Sequence, residues 1–579
     1  MNYNFRRALQ YCFVLGGITV AMNACSSRDN DNVISGPEGT TLSVNVAGIT
    51  EYAQKDLNAS VSNIQSLKTN PSTTIIAKEQ MVSFNGFDAL VSMEKQAFQK
   101  KSEIAKNATT SVSSGFSAPM ASTTGMSQGI KYRLVIYDAA DVNHSAPPAT
   151  NIVLTSGSAP ASPIRIDADK TYNWYAFSIN ETGNLPDINN GIIDKAGLKN
   201  KDVLWAKGTF ATQYGNNSLN ITFNRNTTQV QVVVNTLGVS GMMTGAPQLE
   251  LQSGTEGILK YGDLNIFDGE YSNPTSFTLT NQGGSTPSPS SAYRTTFKVH
   301  TIDNSTLIPM NNLKVKLGDF RVYRQDFNAP SNTNYPDRAF INFSSPTVAL
   351  NNGTELTFGR GNLYTVNIKL IESAVNVAGV QWARSNVKGY DLNIGSGNKY
   401  FFMADPMNNL DNGYVPFYWN NLSTDICTEV FPAGTWRLPT KSEFEKLLGA
   451  TATTVFSPNT LIFNGVPAAL GNGFLGIQYS DTNTVINTGY PVYGQKLTLP
   501  MSGYHDAGKT SGYNITLNIP KQKIEAGYWT KDGSVFGKQY FYTSGEYTYT
   551  GSGNGPEIIW GGNVTPPSGQ QFSVRCVRN

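Results

Sequence analysis

The stretch "QVQVVVNTL", residues 229–237, decides the fold class. Side chains of an extended chain point alternately to opposite sides, so Val230, Val232 and Val234 share one face. The same period of two recurs along the chain. "TLSVNVAGI" (41–49) turns Leu42, Val44 and Val46 one way. "YRLVIYDAA" (132–140) follows. "LKVKLGDFRVYR" (313–324) aligns Leu313, Val315 and Leu317, and "LYTVNIKLIE" (363–372) aligns Tyr364, Val366, Ile368 and Leu370. Bounded by Gly, Asn, Pro and Ser, these runs predict antiparallel strands with one face in a core. Several such strands at modest spacing predict β-sandwiches.

The chain has 579 residues, enough for about three ordinary domains. Gly, Ser, Thr, Asn and Tyr are abundant, only 15% of residues are charged, and long helical patterns are scarce, as in a secreted, mainly β surface protein. No basic run stands out, which argues against nucleic acid as a partner, because phosphate neutralisation needs clustered Lys and Arg. The Ser/Thr-rich stretches 107–129 and 281–293 read as exposed loops. Residues 90–106 mix apolar with Lys and Glu and fit either a helix or a strand.

At the N-terminus, Arg6 and Arg7 precede the apolar run "ALQYCFVLGGITVA" (8–21). That length suits a secretory signal and is too short to span a membrane. Ala24 is followed at once by Cys25, and this resembles the lipobox of bacterial lipoproteins. The resemblance implies cleavage before Cys25 (signal peptide 1–24), a diacylglyceryl group on its thiol and an acyl group on the new amine. Several acyl chains together anchor stably, where one would not. The plainer alternative is a secretory signal with a chance cysteine. The polar tether 25–32, with Asp29 and Asp31, resembles the acidic flank that directs some lipoproteins to the outer face of the outer membrane. Removing residues 1–24 takes away Arg6 and Arg7 and no acid, so the 43 basic residues fall to 41, against 41 acidic.

"YRLVIYDAA", "PIRIDADKTYNWYAFSINETGNLPD" (163–187) and "NSLNITFNRNTTQVQVVVNT" (217–236) together resemble fimbrillin-type pilus subunits of Gram-negative bacteria. The resemblance implies two tandem antiparallel β-sandwich domains, 33–215 and 216–371. It also implies assembly with other pilus subunits by strand exchange: the first strand is released by proteolysis and a neighbour's strand fills its groove. "TLSVNVAGI" is the candidate for release. Related subunits are often cut after an arginine beyond that strand, but none lies between Arg28 and Arg133. Lys55, Lys68 and Lys78 are the cleavage candidates. Lys68 sits in the polar "QSLKTNPST" (65–73), which reads as exposed and easily nicked.

From about residue 372 the composition changes, and Trp382, Trp419, Trp436, Trp529 and Trp560 all lie there. Thr440 is a natural N-cap and Glu443 completes a capping box, with Phe444, Leu447 and Leu448 expected as an apolar face. "GTWRLPTKSEF", "LPMSGYHD", "AGYWTKD" and "SVRCVRN" resemble the C-type-lectin-like major paralogous domain, a fold similar to that of formylglycine-generating enzymes. This predicts an α+β lectin-like domain at 372–579. With Cys25 lipidated, Cys427 and Cys576 either pair outside the cytoplasm or stay buried and free; spacing alone does not decide. A bridge would stabilise by ~4–5 kcal/mol in the chain-entropy model.

Several chemical signatures are lookalikes. "GYHDAGKT" (503–510) matches a phosphate loop in Gly503, Gly508, Lys509 and Thr510, but a strand pattern follows where a helix is required. "GNGFLG" (471–476) opens no helix. His144, His300 and His505 share no metal spacing, and His505-Asp506 has no nucleophile elbow beside it. "WNN" (419–421) lacks the aspartate of a calcium-dependent sugar site, and Asp405 and Asp411 read as turn residues. The expectation is no catalytic residue, no cofactor and no bound metal.

The sequence thus points to a surface-exposed lipoprotein subunit of a pilus (fimbrium), held to the outer membrane by its lipid. Its lectin-like module at the tip would mediate adhesion to a host or bacterial surface ligand and biofilm formation. The alternative is an outer-membrane lipoprotein that binds glycan or protein ligands outside any pilus. Cys25→Ala is expected to abolish incorporation of labelled fatty acid; persistent labelling would refute the lipobox.

Overall fold

A computed structural model of the chain describes residues 39–50, 73–84, 87–96, 123–239, 241–245, 248–252, 257–283, 293–302, 313–324, 338–340, 346–350, 356–389, 400–402, 410–411, 415–416, 425–456, 462–463, 466–467, 475–479, 496–500, 523–540 and 572–579. The alternating runs form strands, and the fold is mainly β. The first sheet is ordered Thr123–Thr124 (β4), Thr41–Thr50 (β1), Asn216–Arg225 (β12), Leu204–Ala211 (β11), Thr171–Ser178 (β8), Lys131–Asp138 (β5) and Thr150–Thr155 (β6). Ile164–Arg165 (β7) also pairs with β1. β11 and β12 meet at Leu204–Arg225 and Trp205–Asn224. The sheet folds over at this joint: Leu42, Leu219 and Ile221 of one half share a core with Leu134, Trp174 and Ala206 of the other.

A second sandwich pairs the sheet Arg294–Thr301 (β19), Thr228–Gly238 (β13), Leu363–Glu372 (β24), Phe87–Gln96 (β3) and Thr73–Ser83 (β2) with two smaller sheets. One of these holds Gly241–Gly245 (β14), Phe320–Arg324 (β21) and Arg338–Phe340 (β22). The other holds Leu279–Gly283 (β18), Gln248–Gln252 (β15), Lys314–Leu317 (β20) and Val348–Ala349 (β23). Val230, Val232, Val234, Tyr364, Val366 and Ile368 bury between the layers, as their alternation predicts. A further sheet, Tyr271–Ser276 (β17), Lys260–Asn265 (β16), Ile192–Ile193 (β10) and Ile188–Asn189 (β9), joins two strands that precede β11 in the chain to two that follow β15. Its Ile193 and Leu264, with Ile266 just past β16, cover Val135, Tyr175 and Phe177 on the outer face of the first sheet.

This topology departs from the division expected at 215/216. β12 lies beyond that boundary yet completes the first sheet, whereas β2 and β3 lie before it yet extend the second. The cause is the pairing demand of β24, whose side chains are buried on nearly every position; β3 satisfies its ladder from Phe87 to Gln96. The sandwiches are also not wholly antiparallel, since β1–β12 and β13–β24 are parallel pairs. The undecided stretch at 90–106 is strand as far as Gln96. Of the stretches read as loops, residues 123–124 and 281–283 are strand, while 107–122 and 284–292 lie outside the described residues.

Beyond β24, Val375–Val377, Val380–Trp382, Val577–Arg578 and Trp436–Arg437 form a sheet in that order. Thr440 and Glu443 make the expected capping box at the start of helix Lys441–Lys446 (α1). Phe444 and Leu447 are buried, but Leu448 is 51% exposed, because the chain tightens into a 3-10 turn over Leu447–Gly449 that swings it out of the apolar face. Arg437 clamps Glu443 through two bonds of 2.8 and 2.7 Å, and the Thr440 backbone N–H adds a third at 2.8 Å. The Arg437 hydrogen bonds, against some burial, hold the Glu443 carboxyl at about 2. A depressed carboxylate stabilises the fold above its unfolded value and loses that contribution as pH falls toward its folded value. Melting temperature is therefore expected to fall between pH 4.5 and 2 by a few degrees, ~2–4 °C per kcal/mol for a domain of this size. Glu443→Gln should remove this part of the acid dependence while lowering stability at pH 7, as read by calorimetry.

Candidate strand-assembly groove

β1 carries no charged residue, and its inward row fixes its seat. Leu42 and Ile49 are buried and Val44 and Val46 half-buried, while Ser43, Asn45 and Ala47 are exposed. On the wall, Leu219, Ile221 and Phe223 of β12 alternate with exposed Ser218, Asn220 and Thr222. The parallel register sets Val44 beside Leu219, Val46 beside Ile221 and Ile49 beside Phe223. One irregularity interrupts it: between Val46 and Gly48 the ladder shifts, and Ala47 has no cross-strand partner on β12. Without this bulge Ile49 would face solvent, because one residue of slip reverses every side chain.

The ends of β1 are clamped. Thr41 donates its backbone N–H to Gly215 O at 3.0 Å, and Thr40 O accepts from Ile166 N at 3.0 Å. The Thr41 hydroxyl bonds the Asn216 side chain, and Asn45 donates to Asn220 Oδ1 at 3.2 Å. β7 pairs with Thr41 and Leu42, and β4 with Ile49 and Thr50; between them no strand is described on that flank of β1. The strand is held by ladder bonds and apolar burial, ~1.5–3 kcal/mol for each fully buried aliphatic side chain.

The expected site residues fall as follows. Cys25, Lys55 and Lys68 lie outside the described residues. Lys78 is exposed but sits within β2, the terminal strand of its sheet, and not in a loop. Its neighbours are tied down: Glu79 pairs with Lys369, and Gln80 donates to Ala349 O at 2.9 Å. Cys427 and Cys576 are joined as a disulfide. The lookalike 503–510, "WNN" (419–421), Asp405 and His505 are outside the described residues; Leu475 of "GNGFLG" begins a strand, and Asp411 lies in the strand Leu410–Asp411. His144 stacks on Phe267 at 3.8 Å and hydrogen-bonds the Tyr175 hydroxyl, while His300 lies in β19, its Nδ1 3.8 Å from Asp202. The two histidines serve separate packing sites.

Sequence reasoning missed the wall of the groove. Leu219, Ile221 and Phe223 show plain alternation, but nothing local announces that β12 receives β1 across more than 160 residues of chain. It also missed how firmly the C-terminal strand is fixed. Arg575 is fully buried and donates to Asn386 Oδ1 at 2.8 Å, Ala383 O at 3.0 Å and Thr498 O at 2.8 Å; burial lowers its guanidinium to about 10. Arg578 reaches the second sandwich, donating to Asp88 at 2.8 Å and Glu372 O at 2.6 Å while its guanidinium lies 4.3 Å from the centre of the Trp436 ring.

Residues 121–381, just under half of the chain, match the family model described as fimbrillin-like. The matched span begins just before β4 and ends within Val380–Trp382, so it takes in most of both sandwiches but not β1, β2 or β3. No curated protein matches. Among solved structures, the chain is similar to a candidate cell adhesion protein of Bacteroides fragilis, with 14% identity over 47% of this chain and 94% of that one and a TM-score of 0.30. It is also similar to a fimbrial assembly protein of Parabacteroides distasonis (12% identity, 41% and 82% covered, TM-score 0.20). A third is the fimbrial anchor protein Mfa2 of Porphyromonas gingivalis (11% identity, 34% and 73% covered, TM-score 0.19). At these identities and TM-scores, the similarity to fimbrillin-like proteins rests on the family match.

Leu42→Asp is expected to destabilise the first sandwich by about 3 kcal/mol, because it buries an unpaired carboxylate in the groove. Ser43→Asp, on the exposed row, should stay within ~0.5 kcal/mol. Urea denaturation of both variants checks the facing of β1.

Proposed function

We propose that this chain is a surface lipoprotein subunit of a fimbrillin-type pilus that accepts a strand from a neighbouring subunit and carries an adhesive, lectin-like module at the filament tip. The carrying observation is the placement of β1. It fills a groove of the first sandwich, has no charged side chain, and is followed in the chain by β2, which belongs to the other sandwich. One cut between Thr50 and Thr73 would therefore leave β1 held to the rest of the fold by non-covalent contacts alone. Lys55 and Lys68 lie in that interval. A cut at Lys78 would instead split a strand of the second sandwich, so Lys78 is the poorest of the three sites.

Tip placement is supported by the state of residues 572–579. Cys576 is bonded to Cys427, Arg575 is buried and donates to three acceptors, and Val577 pairs with both Trp382 and Arg437. A segment so held cannot leave to complete another subunit. The lectin-like reading is supported by convergence of distant motifs: Trp529 donates its backbone N–H to Ser573 O, Lys531 to Pro439 O, and Lys441 to the Asp532 carboxylate. In this reading the module binds a surface ligand and the chain catalyses nothing. The second reading, a lipoprotein acting outside any pilus, draws on β1 itself filling the groove.

Filaments sheared from cells are expected to contain the protein, with its N-terminal peptide starting soon after Lys55 or Lys68 by mass spectrometry. Its absence from filaments would remove the pilus reading. A start at an acylated Cys25 would rule out release of β1.

A further inference from the structure

The first sandwich has a braced rim at the end where the chain enters it. β5 ends, β8 begins and β11 ends in one row, since Asp138 pairs with Tyr172 and Tyr172 with Phe210. β1 and β12 start at the same end, Thr41 beside Asn216. Of the large apolar side chains exposed among the described residues, the two most exposed both project from this rim, Tyr214 at 78% and Val142 at 74%. Neither sits in an untied loop. Asn217 braces the turn under Tyr214: its Oδ1 accepts from the Gln213 backbone N–H at 2.9 Å, and its Nδ2 donates to Gln213 O at 2.8 Å. Beside Val142, the Asp141 carboxylate accepts from the backbone N–H groups of Ser145 and Ala146 at 3.0 and 2.8 Å, and His144 is stacked on Phe267. Lys170 ties the loops together, 2.9 Å from Asp167 and 3.6 Å from Asp138. Single exposed apolar side chains are ordinary on a protein surface. What sets this pair apart is its place.

Thr41 donates its backbone N–H to Gly215 O at 3.0 Å, so the chain enters β1 bonded to the residue next to Tyr214. Cys25 lies fourteen positions before Gly39, and at no more than ~3.6 Å per residue the two are within about 50 Å of each other. We infer that this rim of the uncut subunit faces the membrane, with Tyr214 and Val142 resting in the headgroup layer of the lipid that holds Cys25. This rests on the lipid-anchor reading and adds to it the orientation of the anchored subunit. Tyrosine suits that boundary, because its ring is apolar while its hydroxyl stays wet. An anchor that fixes where the chain enters the fold holds the side chains there at high effective concentration near the lipid, so weak apolar contacts become populated. Charge narrows the kind of surface. Among the described residues of the rim, Asp138, Asp141, Asp167 and Asp169 outnumber Arg165 and Lys170. Bare anionic lipid would repel such a rim, whereas a zwitterionic headgroup layer would not.

The test uses the full-length acylated protein in phosphatidylcholine vesicles. With the signal peptide removed, Cys25 acylated and Cys427 bonded to Cys576, an introduced cysteine is the sole free thiol. Asn143→Cys and Gln213→Cys place a fluorophore beside Val142 and Tyr214, and Leu448→Cys places one on an exposed position of the C-terminal module. On vesicles, quenching by aqueous iodide is expected to fall at least threefold at 143 and 213 and to stay unchanged at 448. Adding Val142→Ser and Tyr214→Ser should restore quenching at both rim positions. Equal quenching at all three positions on vesicle-bound protein, or protection that survives the two serine substitutions, would overturn the contact and leave the anchor standing. Protection that appears without vesicles and grows with protein concentration would give the rim to a second copy of this chain and overturn the membrane assignment. Protein that carries no acyl group and does not float with the vesicles would overturn the anchor reading, and this inference with it.

Discussion

The first sandwich is closed by a parallel ladder between two strands far apart in sequence. β1 runs alongside β12 in the same direction, and parallel neighbours cannot be joined by a hairpin. No turn fixes β1 in place, so its register comes from apolar side chains matched to Leu219, Ile221 and Phe223 and from the bulge at Ala47. The first sandwich depends on that fit. With β1 absent, the inward row of β12 and the core behind it, including Leu134 and Trp174, would lose cover along one side. Hydrophobic burial is non-directional, so the seat of β1 is set by the spacing of its apolar side chains and not by a turn.

The two sandwiches are interleaved more tightly than tandem domains. β2 and β3 cross into the second sheet, and β16 pairs with β10, which lies between β8 and β11 of the first sheet in the chain. Polar groups reinforce the joint. Asp202 binds Arg225 and accepts from Asn180 at 2.8 Å, while His300 of β19 faces it from the second sandwich and gives its backbone N–H to Asn200 at 2.9 Å. Burial alone would raise the Asp202 carboxyl, but His300 and Arg225 more than offset it and hold it below the ordinary range; burial keeps His300 below its own. Arg360 adds a second tie, to Gly269 O and the Glu270 carboxylate. None of these contacts involves a residue of β1.

At the other end, the C-terminal strand links its own module to the second sandwich. Asp88 of β3 and the carbonyl of Glu372 at the end of β24 both receive Arg578. Burial pushes the Asp88 carboxyl up against the opposing pull of Arg578, and it pushes the Arg578 guanidinium down. A buried pair of this kind contributes little net stability over an apolar substitute, but removing one partner is costly. It therefore serves to fix the orientation of the module. Through Arg578 the module is tied to β3 and β24, two central strands of the second sandwich's sheet.

Local physics made much of this legible in the sequence. Period-two alternation located β1, β5, β13, β20 and β24 and the facing of Leu42, Val230, Val315 and Tyr364, because which side a residue takes depends only on its neighbours in the strand. The capping box at Thr440 and Glu443 was legible for the same reason, since its partners lie three residues apart. Partner choice was not. Nothing within 73–96 shows that it pairs with β24, nor within 216–225 that it receives β1, because a ladder is built from backbone groups that every residue carries. The bulge at Ala47, the burial of Arg575 and the reach of Arg578 to Asp88 were likewise decided only when distant segments met, where the register of one strand is set by the side chains of another.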